Sequence, residues 1–155
     1  MKFLKIGDNA PDFTGSDQNG NTISLKEFKG KKLVIYFYPK DNTPGCTVQA
    51  CNLRDHYSEL LNNKISVIGI SADSISSHQK FTEKFTLPFS LIADENKEII
   101  NLFGVWGPKK FMGKEYDGIH RTTFLIDENQ KIVGIIEKPK TKYHAEEILE
   151  IFKGT

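Results

Sequence analysis

The sequence predicts an α/β fold with helices packed on a mixed central sheet. Three observations predict it. A continuous apolar run from Leu33 to Tyr38 reads as a buried strand. A helical pattern follows it, and then a second run rich in β-branched residues, Ile65 to Ala72. Strand, helix and strand in that order make a βαβ unit with a parallel pair. Nearer the C-terminus, Thr122 to Ile126 and Ile132 to Glu137 flank the polar run Asp127-Glu128-Asn129-Gln130-Lys131, which reads as an antiparallel hairpin and makes the sheet mixed.

Residues 1 to 12 read as an irregular lead-in closed by Asn9-Ala10-Pro11-Asp12. Phe13-Thr14 and Thr22-Ile23-Ser24-Leu25 flank Gln18-Asn19-Gly20-Asn21, and Asn-Gly between strand-like runs signals a hairpin, here an N-terminal extension of the fold. Lys26 to Gly30 holds at most one helical turn. After the Leu33–Tyr38 strand, Cys46, Ala50, Leu53, Tyr57, Leu60 and Leu61 fall on one stripe at helical spacing. Thr43 is placed as the N-cap of that helix and Pro44 in its first turn. A further helix begins near Ser76, sets Phe81 and Phe85 four residues apart in the core, and ends at Leu87-Pro88-Phe89. Ser90 to Ala93 is a short strand and Glu98 to Phe103 a short helix. Residues 104 to 119, with glycines at 104, 107, 113 and 118, read as the longest irregular stretch, either a functional loop or a packed surface connection. The final helix, Tyr143 to Phe152, buries Ala145, Ile148, Leu149 and Phe152. No repeat, low-complexity tract or linker interrupts this order, and residues 1–155 read as one domain.

A chain of 155 residues can bury roughly two-thirds of its unfolded surface. Its 21 basic and 20 acidic residues leave a formal charge of +1, which offers neither nucleic acid nor an anionic membrane a surface to bind. The opening Met1-Lys2-Phe3-Leu4-Lys5-Ile6-Gly7-Asp8 breaks its apolar residues with charges, unlike a signal peptide, and no apolar run reaches the length of a membrane span. The expected compartment is the cytoplasm. Two cysteines five residues apart in a reducing compartment argue for catalysis or redox sensing over a structural disulfide.

Those cysteines lie in Tyr38-Pro39-Lys40-Asp41-Asn42-Thr43-Pro44-Gly45-Cys46-Thr47-Val48-Gln49-Ala50-Cys51. A strand delivers a loop, and the loop delivers Cys46 to the first turn of a helix. At such a position free amide N–H groups and the positive end of the helix dipole favour a thiolate. Cys46 sits on the inward face. Cys51 lies about 100° around the helix from Ala50, toward the edge of the apolar stripe.

The run Pro39-x-x-x-Thr43-x-x-Cys46 resembles the active-site signature of peroxiredoxins, thiol-dependent peroxidases on a thioredoxin-like fold. Thr43-Pro44-Gly45-Cys46-Thr47-Val48-Gln49-Ala50-Cys51 is similar to the bacterioferritin-comigratory or Q-type subgroup. Asn52-Leu53-Arg54-Asp55, Gly104-Val105-Trp106-Gly107 and Arg121-Thr122-Thr123-Phe124-Leu125-Ile126-Asp127 resemble that subgroup in the same order, so the likeness runs from about Gly7 to Ile151. The resemblance implies a peroxidatic Cys46, a resolving Cys51, and Thr43 and Arg121 completing the catalytic set. It also implies a substrate site formed by Pro39, Thr43, Gly45 and Cys46, with Pro39 or Pro44 shielding it. Gln49 stands where many members carry Glu, and no acid–base role is assigned to it. Hydrogen peroxide and organic hydroperoxides would be the substrates. Thioredoxin or a glutaredoxin-like dithiol would be the reductant, with the protein working as a monomer without metal, flavin or haem.

The four histidines, 56, 78, 120 and 144, show no metal-ligand spacing along the chain and read as surface residues, with only His120 near enough to Arg121 to tune the site. C-x4-C is not a usual zinc pair. The basic cluster from Lys138 to Lys142 reads as a solvated loop. Two other functions fit a thiol-bearing α/β domain. A protein-disulfide oxidoreductase would be expected to carry C-x-x-C, which is absent. A partner-regulating thiol sensor would not turn over peroxide.

Overall fold

The computed structural model describes residues 3–154. The Leu33–Tyr38 run supplies its central strand, β3 (Lys32–Phe37), which is buried along nearly its whole length. Leu33, Ile35 and Phe37 point into one apolar cluster and Val34, Tyr36 and Tyr38 into another, so β3 divides two cores. That two-sided burial is why its sequence is continuously apolar instead of alternating.

β4 (Ile65–Ser71) lies parallel to β3, and β5 (Ser90–Ala93) lies parallel to β4. On the other side β8 (Thr122–Ile126) runs antiparallel to β3, and β9 (Ile132–Ile136) antiparallel to β8. The order β5-β4-β3-β8-β9 is the expected mixed sheet. One face carries α1 (Pro44–Asp55), α2 (Tyr57–Asn62) and α5 (His144–Lys153), with Phe81 of α3 (Ile75–Phe85) joining them. The other face is covered by α4 (Glu98–Leu102) and by the N-terminal hairpin of β1 (Thr14–Ser16) and β2 (Thr22–Ser24), whose Gly15 rests on the side chain of Ile92. Among the described residues no helix is long and apolar enough to cross a membrane.

Three expectations are corrected. Residues 104 to 119 are not irregular: β6 (Trp106–Phe111) and β7 (Lys114–Ile119) pair antiparallel in register from Trp106↔Ile119 to Phe111↔Lys114. Met112 and Gly113 turn the chain with φ of 51° and 80°, the pattern of a type I′ hairpin turn. Most of this hairpin faces solvent, so no apolar alternation betrays it. The helix from Cys46 to Leu61 is broken at His56, and Leu61 is 50% exposed whereas Leu60 is fully buried. Adjacent residues sit about 100° apart around a helix, and only Leu60 is directed at the sheet.

The third correction concerns the histidines. His78 and His144 are completely buried, not on the surface. His78 Nδ1 lies 2.7 Å from Asp41 Oδ2 and its Nε2 lies 3.0 Å from the Ile92 carbonyl. His144 Nε2 lies 2.8 Å from Thr123 Oγ1 and its Nδ1 lies 3.2 Å from Glu147 Oε1. Burial holds the His144 pKa below its ordinary 6.5, against an opposing pull from Glu147. The unfolded chain therefore takes up a proton at this residue before the native state does, and stability falls as the pH drops through about 6.5. The urea midpoint is expected to decline between about pH 7 and about pH 5, and His144→Gln should flatten the slope. An unchanged slope would assign the acid sensitivity to other groups.

Candidate active site

The loop between β3 and α1 is fixed from below. Tyr38 donates to Asp41 Oδ1 at 2.6 Å, Ser77 donates to Asp41 Oδ2 at 2.8 Å, and the Asp41 N–H donates to Asp73 Oδ2 at 2.9 Å. Among the described residues Asp41, Asp73 and His78 are the one group whose ligand atoms approach within 4.8 Å of one another. Those atoms are taken up by Tyr38, Ser71, Ser77, the Asp41 amide and one another, which makes the cluster a clamp on the loop. Sequence spacing gave no hint of it, because Asp41 and His78 lie 37 residues apart.

Thr43 stands at the N-cap of α1 in extended conformation, as expected, but its hydroxyl does not cap the helix. It donates to the Lys40 carbonyl at 2.9 Å, which leaves its oxygen free to accept from a ligand. Pro44 has no amide proton, and the first intrahelical bond runs from Thr47 N to Thr43 O at 2.8 Å. The N–H groups of Gly45 and Cys46 therefore stand ahead of the helical ladder as donors of the first turn. Pro39 is half-buried at the start of the loop.

Cys46 is 2% exposed and its thiol is free, as is that of half-buried Cys51. Arg121, just before β8, places Nη2 3.3 Å from Cys46 Sγ and donates through Nη1 to Gln49 Oε1 at 2.6 Å. Gly45 makes room for this: a Cβ there would lie 3.2 Å from Arg121 Nη2. Gln49, fully buried one helical turn after Cys46, thus holds the guanidinium over the sulfur. Its spacing of three from Cys46 was the signal available in the sequence. Lys109 on β6 was also missed. Its ammonium donates to the Ile119 carbonyl at 2.9 Å, and burial followed by the Arg121 charge lowers its pKa, while negative charge at Cys46 opposes them. His120 is exposed and bonded to the Pro108 carbonyl, turned to the hairpin and not to Cys46.

Tyr36 lies beneath the cysteines with its hydroxyl buried and unpaired. Burial pushes its phenol well above the ordinary range, and negative charge at Cys46 adds to the effect. The assembly is a buried sulfur flanked by a fixed guanidinium and two main-chain donors. Such a site can stabilise a thiolate and also the negative charge that develops on an oxygen leaving it.

The AhpC/TSA family profile matches residues 6–135. The chain belongs to the AhpC/TSA family. It is 48% identical over 153 residues to peroxiredoxin Bcp of Escherichia coli K12, covering 99% of this chain and 98% of that one. The crystal structure of a cysteine-to-serine variant of Xylella fastidiosa PrxQ superposes with a TM-score of 0.92 at 30% identity, covering 99% and 98% of the two chains. A structure of Xanthomonas campestris bacterioferritin comigratory protein, which concerns that protein's alkyl peroxide reduction, superposes with a TM-score of 0.86 at 33% identity over 92% and 90%. The fold is thus the thioredoxin-like fold of peroxiredoxins, and the chain is a thiol peroxidase of the Bcp type.

Proposed function

We propose that the protein reduces hydrogen peroxide and organic hydroperoxides with Cys46 as the peroxidatic and Cys51 as the resolving residue. The observation that carries this reading is Arg121 Nη2 at 3.3 Å from a Cys46 sulfur in the open first turn of α1. The Cys46 thiolate attacks one peroxide oxygen, an S–O bond forms as the O–O bond breaks, and the departing alkoxide or hydroxide takes a proton. Arg121 and the amides of Gly45 and Cys46 hold the oxygens, and Thr43 accepts from the peroxide O–H. Pro39 lines the approach. The sulfur has now given up two electrons and stands as a sulfenic acid. The Cys51 thiolate attacks it, the S–O bond breaks, the departing hydroxide takes a proton from solvent to leave as water, and a Cys46–Cys51 disulfide forms. A thioredoxin or glutaredoxin-like dithiol returns the two electrons. The protein acts as a monomer, since a Cys46–Cys51 pair within one helix needs no second subunit to complete the cycle, and regeneration by a dithiol suits the cytoplasm.

Resolution requires movement. In an intact helix, residues five apart have Cα atoms about 9 Å apart and side chains about 140° apart around the axis. Disulfides rarely tolerate more than about 7 Å. Both cysteines lie inside α1, so the segment from Cys46 to Cys51 must unwind on oxidation. Amide hydrogen exchange should lose protection at residues 46 to 52 in the disulfide form and keep it along β3 and β4. A disulfide-form structure with α1 unbroken would overturn this. Turnover itself is tested by NADPH consumption in a thioredoxin-coupled assay, with hydrogen peroxide and a bulky hydroperoxide side by side. Oxidation of the reductant without peroxide consumption would sink the proposal.

A further inference from the structure

The residue after Cys51 ties α1 to another helix. Asn52 Oδ1 accepts from the Ala145 N–H at 2.7 Å, and its Nδ2 donates to the Lys142 carbonyl at 2.9 Å and lies 3.4 Å from Glu146 Oε1. One turn on, His56 Nε2 lies 3.2 Å from the same Glu146 oxygen. The Ala145 N–H belongs to the first turn of α5, where an amide has no partner within its own helix. Tyr143, which precedes α5, offers no side-chain cap. The cap of α5 is therefore supplied by α1.

This placement conflicts with resolution. To reach Cys46, Cys51 must leave its helical position and turn around the axis, and the peptide joining it to Asn52 turns with it. Hydrogen bonds at 2.7 and 2.9 Å do not survive a displacement of more than a few tenths of an ångström past about 3.5 Å. Leu53, the next residue, is fully buried and keeps the rest of α1 in place, so the strain of unwinding falls on the 51–52 junction.

We propose that Asn52 is a positioning residue that keeps α1 wound by capping α5, and that it releases α5 whenever Cys51 moves to resolve Cys46. The inference rests on the Cys46–Cys51 reading above. Asn52 thereby sets the lifetime of the sulfenic acid and the balance between dithiol and disulfide.

The test is Asn52→Ala, oxidised with one equivalent of hydrogen peroxide, quenched with an alkylating reagent and mapped by peptide mass. Losing the brace should speed disulfide formation roughly tenfold and shift the equilibrium with dithiothreitol roughly tenfold toward the disulfide. The melting temperature should fall in the dithiol form and stay put in the disulfide form. Asn52→Asp keeps an acceptor for the Ala145 N–H but loses the amide donor, and should fall between the two proteins in every readout. Equal destabilisation of both redox forms, with unchanged rate and equilibrium, would mean that Asn52 holds α5 throughout, and the inference would fall. If the wild-type protein forms no Cys46–Cys51 disulfide, the reaction sequence proposed above fails first, a result visible in the peptide map before any variant is compared.

Discussion

Cys46→Ser is expected to abolish peroxide consumption, while Cys51→Ser should reduce a single equivalent and stop. The two thiols are unequal by position. Cys46 is 2% exposed, with Arg121 at 3.3 Å and two first-turn amides beside it, whereas Cys51 is half-buried more than a turn further on. Among the described residues only Cys46 has a fixed cation within hydrogen-bonding distance of its sulfur, and a serine there removes the nucleophile without much change of volume. Without Cys51 the sulfenic acid has no internal partner and should persist long enough to be trapped by a dimedone-type reagent at Cys46. A label at Cys51 in the Cys46→Ser protein would reverse the assignment.

Arg121→Ala should slow peroxide attack by about a hundredfold even at a pH where the thiol is fully ionised. An arginine that only favoured ionisation would cost nothing under those conditions. The geometry predicts more, because Nη2 lies beside the sulfur while Nη1 is pinned by Gln49, leaving the guanidinium fixed where the proposed attack by Cys46 would develop charge. Single-turnover rates measured alongside thiolate absorbance separate the two effects. Arg121→Lys should recover little, since an ammonium cannot bond Gln49 and the reacting centre in one plane. Full activity in the ionised Arg121→Ala enzyme would leave Arg121 a bystander.

Much of the fold was legible because burial on two faces leaves a mark. The apolar run of β3, the β-branched run of β4 and the stripe holding Cys46, Ala50 and Leu53 all became core. The β6–β7 hairpin left no such mark, since its strands are mostly exposed and its turn uses Met112-Gly113, not Asn-Gly. The buried histidines escaped for a different reason. A lone histidine in a polar helix reads as surface unless its partner is known, and Asp41 and Thr123 reach His78 and His144 from other elements.

The sequence by itself determined where the Cys46 thiol sits along the chain and its local setting. A thiol one turn into a helix, after a loop closed by Thr43 and Pro44, follows from local spacing and backbone chemistry alone. Only the tertiary structure decided what surrounds that thiol. Arg121 is 75 residues from Cys46, and it arrives because β8 pairs antiparallel with β3 in a register that sets Thr122 opposite Phe37. That register brings the residue before β8 level with the end of β3, where the loop to α1 begins. The same packing lays Asn52 against the first turn of α5, ninety-three residues from its partner Ala145. Neither contact has a local signature, because each is fixed by which strands pair and which helix faces meet, and burial of the shared core selects both.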